Sequence, residues 1–213
     1  MKTQQQELVK PCTAAELARL ASPSMARSGW LRRFREANWE NIQRGLSKIA
    51  RAEEFGIPTM HGTLYARLLR RNGDILDYGL ISTRVVTTAG AGFVVDAFQG
   101  SVELEIMKYH GIGTNNTAEN VADTTLNTEL TTQYIVNSTR ATGTLGEGAS
   151  ANIFRTVGTN EVDASVTIVE HGIFSNATVA SGVLFDRSIF AGIGMVSGDQ
   201  LQTTYDWTMA TGG

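Results

Sequence analysis

The chain has 213 residues and a mass of 23.0 kDa, and 42% of its residues are hydrophobic. That is enough for one large domain, or one domain with a helical appendage, and it excludes a wholly disordered chain. The net charge of −3 is unevenly spread: residues 1–78 carry 13 Lys and Arg against 8 Asp and Glu, whereas residues 79–213 carry 5 against 13.

A basic leading part on an acidic body suggests docking of the former on something acidic, although Arg-rich helices also have solvated faces. Nucleic acid is disfavoured, because glutamates accompany the arginines and no recognition motif is present. Cys12 is the sole cysteine, so no intrachain disulfide can form. The first residues lack an apolar signal core and no run approaches a transmembrane length, so assembly in a cytoplasm is expected.

Residues 1–12 are polar and read as an arm. Thr13-Ala14-Ala15-Glu16 has capping-box spacing and predicts a short helix over 13–21, ended by Pro23. Ser28 caps a longer helix to about Glu54. Leu31, Phe34, Trp39, Ile42, Leu46 and Ile49 give it an apolar seam, and Gly56 and Pro58 stop it. Residues 60–78 fit a strand or a short helix. The turn signal Asn72-Gly73-Asp74 favours a hairpin.

From Gly79 onward there are 21 Thr, 17 Gly and no proline. Strands are predicted near 82–89, 92–98, 105–112, 129–135, 139–145, 150–157, 163–170, 183–190 and 200–209, with a long polar connection over 114–128 and a helical turn near 118–122. The expected fold is mainly β (α+β overall): an antiparallel β-sandwich or jelly-roll-like domain over 82–213. Arm and helices over 1–58 and a connecting hairpin over 59–81 precede it.

No Gly-x-Ser-x-Gly elbow, phosphate loop or His-Glu-x-x-His helix is present. Gly90-Ala91-Gly92 lacks the third glycine of a dinucleotide fingerprint and reads as a turn between strands. His110 and His171 recur in a repeated His-Gly-Ile phrase. They would form a metal site only if they converged with a carboxylate such as Glu170 or Glu105, and strand-end histidines are the favoured reading. Asn115, Asn116, Glu119 and Asp123 lack a calcium-loop pattern. Alternation places Tyr205 and Trp207 on one face of the last strand, read as core.

His110-Gly111-Ile112-Gly113-Thr114, then Ala118, Asp123-Thr124-Thr125-Leu126, Glu129 and Arg140, resemble a domain found in structural proteins of tailed bacteriophages. So do Glu170-His171-Gly172-Ile173-Phe174-Ser175-Asn176, Gly182-Val183-Leu184, Arg187, Phe190, Gly198-Asp199 and Leu201. The resemblance covers residues 82–213 and implies a virion protein without enzymatic activity or cofactor, most simply a capsid decoration (cement) protein assembled in the host bacterial cytoplasm. It implies the major capsid protein or another virion subunit as partner, and a homo-oligomer, with a trimer favoured. Residues chosen for docking are Arg32, Arg33, Arg35, Trp39 and Arg44. The alternatives are a tail, baseplate or fibre-attachment subunit, or a host-glycan module. The last requires an exposed aromatic patch among Tyr109, Tyr134, Tyr205 and Trp207.

Overall fold

The computed structural model of the chain describes residues 13–210. The arm expected at 1–12 lies outside them. Helix α1 (Ala14–Ala21) starts at the predicted capping box: the Thr13 hydroxyl accepts from the Glu16 N–H, and the Glu16 carboxylate accepts from the Thr13 N–H. A short 3-10 turn (Pro23–Met25) leads to α2 (Gly29–Glu54), capped by Ser28. Phe34, Ile42, Leu46 and Ile49 form its buried stripe, as their spacing predicts.

The hairpin prediction holds. Strands β1 (Thr59–Leu69) and β2 (Ile75–Val85) flank the Asn72-Gly73-Asp74 turn, where Gly73 takes a φ of 92° that a Cβ would resist. This hairpin is not a connector, however. Strand β1 pairs along its full length with the last strand, β9 (Gln200–Ala210), so the sandwich begins near residue 59 and not at 82. Leu64, Ala66 and Leu68 bury one face of β1 in the main core, and this burial draws the hairpin into the sheet.

Two antiparallel sheets result. The first, in spatial order, is β2-β1-β9-β6-β5, with β5 at Thr144–Glu147 and β6 at Ile153–Glu161. The second is β4-β3-β7-β8, with β3 at Tyr109–Gly113, β4 at Ala141–Thr142, β7 at Val166–Phe174 and β8 at Leu184–Met195. Ile81, Ile112, Ile168, Ile173, Ile193 and Leu201 meet between them.

Several predicted elements differ. Residues 82–89 are not a strand of their own, since 82–85 end β2 and Thr88 opens a helix, and residues 139–145 divide between β4 and β5, which lie in different sheets. The strand expected at 92–98 is a helix, α3 (Thr88–Phe98), and Gly90-Ala91-Gly92 lies inside it. The Thr87 hydroxyl caps it by accepting from the Gly90 N–H, at 2.9 Å, while Phe93 and Val94 anchor it in the core. Residues 129–135 make only isolated bridges at Glu129 and Tyr134. Residues 118–122 hold no helix, only the start of a single turn in which the Asp123 N–H donates to the Asn120 carbonyl at 3.0 Å.

Gly45 marks the tightest approach of α2 to the sheet. A Cβ there would fall 1.7 Å from the Thr83 carbonyl oxygen. Gly→Ala in an open helix stabilises by about 1 kcal/mol. Gly45→Ala is expected to reverse the sign and destabilise by roughly 1–3 kcal/mol through overpacking, read as a lower Tm in thermal unfolding.

Candidate functional site

The two His-Gly-Ile phrases are cross-strand partners. On β3 and β7 the register sets His110 opposite Ile173, Gly111 opposite Gly172 and Ile112 opposite His171. Strand alternation then sorts their neighbours onto two faces. His110, Ile112, His171 and Ile173 face the first sheet. Glu170, Gly172 and Phe174 face the polar connection that runs from Thr114 to Arg140.

The inner face carries a buried polar seam. His110 Nδ1 lies 3.1 Å from His171 Nε2 and 2.8 Å from Thr203 Oγ1, and His110 Nε2 lies 3.1 Å from Thr156 Oγ1. Gly158 makes room for the ring, since a Cβ there would sit 2.5 Å from it. Close by, the Tyr205 hydroxyl donates to Asp186 at 3.1 Å. Burial pushes His110 down to about 3. Burial, then the neighbouring His110, holds His171 well below the ordinary histidine range. Burial pushes the Asp186 carboxyl up to about 6, against the hydrogen bond from Tyr205.

The two histidines therefore do converge, but the carboxylates that a metal would need do not join them. Glu170 points to the opposite face of β7 and Glu105 is exposed. Among the described residues no group of three or more His, Cys, Asp and Glu is placed to hold a metal ion. Both imidazoles are sealed from solvent, so neither can exchange a proton with a bound substrate.

The outer face is a clamp. Glu170 Oε2 accepts from Arg187 Nε and Nη2 at 3.0 and 2.9 Å, with both side chains closed to water. Glu170 also accepts from the backbone N–H groups of Asn115, Asn127 and Thr128. Arg187 reaches on to Asp123 at 3.1 Å. Further along, Arg140 grips Glu129 with two parallel bonds of 2.6 and 2.8 Å, donates to the carbonyls of Asn176 and Ser181, and lies 3.4 Å over the Phe174 ring. Gly111 and Gly172 provide the floor: a Cβ on Gly111 would strike Glu129 and Phe174, and one on Gly172 would strike Leu184, Phe174 and Leu126. Glu119 closes the far end, paired with Arg84 and Arg44 and accepting from the Ile189 N–H at 2.9 Å.

The docking set divides. Arg32 and Arg33 are exposed and form no ion pair among the described residues. Arg35 donates to the Ser22 carbonyl at 3.0 Å, Trp39 packs half-buried against α1, and Arg44 is held by Glu40, Asn41 and Glu119. The three latter side chains thus serve contacts within the chain. The aromatic set does not form an exposed patch: Tyr134 and Tyr205 are buried, and Trp207 stacks edge-on against Phe185 at 5.3 Å.

Sequence reasoning missed Arg84 and Asp186; Asp199, named only as part of the phage-like resemblance, is buried and holds the β1–β2 turn through Arg70 at 2.6 Å and the Arg71 N–H at 3.1 Å. The adjacent charges Asp186-Arg187 inside the apolar run from Val183 to Phe190 were a readable signal, since charges enter a core only with partners.

No protein-family model, no curated protein and no solved structure matches the chain. No helix among the described residues is long and apolar enough to cross a membrane.

Proposed function

We propose that the chain is a non-enzymatic structural subunit of a tailed-bacteriophage virion, a capsid decoration protein that sits on the outer shell and stabilises it. One observation carries this reading. Asp123, Leu126, Glu129, Arg140, Glu170 and Arg187, the residues of the phage-like pattern, all converge on fixing one long connection to one sheet. That arrangement confers rigidity and shape. A part that shares load with neighbouring subunits needs such rigidity, because loops held only by water would open locally. In this reading the exposed Arg32 and Arg33 meet an acidic neighbour in the particle.

Quantitative mass spectrometry of purified particles tests the reading. A decoration protein is expected in abundance comparable with the shell subunit, and particles made without it should release their genome at a lower temperature. Scarce copies would assign the chain to the tail or baseplate, and absence from the particle would overturn the virion reading altogether.

A further inference from the structure

Two surfaces of this chain are complementary in polarity and charge. The first surrounds α3 and the short turn after it. Leu104, Met107, Phe154, Phe185, Tyr205 and Trp207 line a pocket of about 190 Å³ that is almost wholly apolar. Beside it Val95 and Phe98, one helical turn apart on α3, are 54% and 80% exposed. The rim is acidic: Asp96, Glu103 and Glu105 are exposed and have no ion-pair partner among the described residues, and half-buried Lys108 is the one cation near them in sequence.

The second surface is the elbow between α1 and α2. Met25, 50% exposed, stands at the end of the 3-10 turn. Arg27, Arg32 and Arg33 follow within two turns, all exposed and without ion-pair partners among the described residues, with Glu36 the nearest acid on the helix. The first turn of the 26-residue α2 holds no acidic residue, so the positive end of its dipole adds to the arginines. An apolar knob in a basic collar thus faces an apolar hole in an acidic collar.

We infer that the elbow of one copy docks on the α3 pocket of a second copy, with Met25 entering the pocket and Arg27, Arg32 and Arg33 meeting Asp96, Glu103 and Glu105. Another exposed apolar pair, Phe55 and Ile57 at the end of α2, follows Glu53 and Glu54 and would bring like charge to the acidic rim, and the exposed Ile135 and Val136 have no Lys or Arg within three residues to meet that rim. The contact joins different patches of identical chains, so it is head-to-tail and generates a ring where the rotation closes. It takes from the virion reading only the docking role of Arg32 and Arg33, and it names their acidic neighbour as another copy of the chain.

The test is the mass of the purified full chain in solution by light scattering. Assembly is expected in low salt and should weaken sharply in high salt, where the Debye length falls to about 3 Å at 1 M. Reversing one collar (Arg27→Glu, Arg32→Glu and Arg33→Glu) should give monomers, and so should reversing the other (Asp96→Lys, Glu103→Lys and Glu105→Lys). The variant carrying all six changes should assemble again, which a merely misfolded protein would not do, and circular dichroism checks each fold. Met25→Glu should also dissociate the assembly. A wild-type monomer at high concentration in low salt would overturn the inference and leave the pocket to a foreign partner. So would assembly indifferent to both reversals. Chains that assemble but are missing from particles would keep this inference and sink the virion reading. Monomers abundant in particles would do the reverse.

Discussion

Glu170→Ala is expected to destabilise the fold by about 3–5 kcal/mol, the usual penalty for leaving one member of a buried ion pair without its partner. Arg187 would keep only Asp123, and the N–H groups of Asn115, Asn127 and Thr128 would lose their acceptor at the same time. For a domain whose total stability is on the order of 5–15 kcal/mol, this is a large share. Urea unfolding would read it as a lower midpoint, and hydrogen exchange would show those three amides losing protection first. Adding Arg187→Met should recover part of the loss, because it removes the stranded charge and not the orphaned amides. Arg67→Ala provides the contrast. Its partner Asp77 is 3.1 Å away, but both side chains are more than half exposed, and the expected effect is under about 1 kcal/mol. Equal midpoints for Glu170→Ala and the wild type would mean that the connection is held by something other than the clamp.

The clamp also shows what the sequence could and could not reveal. Its members were visible as a spaced set of Asp, Glu and Arg in a Thr-rich background, and those residues carried the phage-like resemblance. Their roles were hidden because the ion pairs of that set span 11 residues for Glu129 and Arg140, 17 for Glu170 and Arg187, and 64 for Asp123 and Arg187. Local patterns fared better. The helices over 13–21 and 28–54 follow from their caps and apolar stripes, and the hairpin follows from its turn. The run Phe93-Val94-Val95 misled, since consecutive apolar and β-branched residues suit a buried strand. The Thr87 cap and the close fit of Gly90 on the Phe185 backbone decided for a helix, and the second of these is tertiary. The docking set divided for the same reason. Periodicity placed Arg32, Arg33, Arg35 and Arg44 on one long helix, but only the packed α1–α2 corner and the distant Glu119 determine which guanidinium groups remain free.

Acid is expected to weaken this fold before most of its carboxylates titrate. The native chain keeps His110 near 3 and His171 well below the ordinary range, whereas both return to about 6.5 on unfolding. Between those values the unfolded chain binds protons that the native chain does not. Stability is therefore fully present above about 6.5 and declines as pH falls toward the folded values. At pH 5 each imidazole costs about 2 kcal/mol, set by the distance below its unfolded pKa. His61, held at about 4 by burial, acts in the same direction.

Asp186 opposes them. Its folded value of about 6 lies above its unfolded one, so its contribution is fully present below the ordinary carboxylate range and is lost as pH rises through about 6. Between pH 7 and pH 5 it returns about 1 kcal/mol, less than the buried pair removes. Urea midpoints measured at pH 7.5 and pH 5 should differ clearly for the wild type. His110→Gln with His171→Gln keeps polar side chains in the seam but removes its titration. That variant should be weaker at neutral pH and much flatter between the two conditions. A wild-type midpoint that holds steady from pH 7.5 to pH 5 would mean that the imidazoles accept protons in the folded chain, and the seam between the sheets would then be open to water.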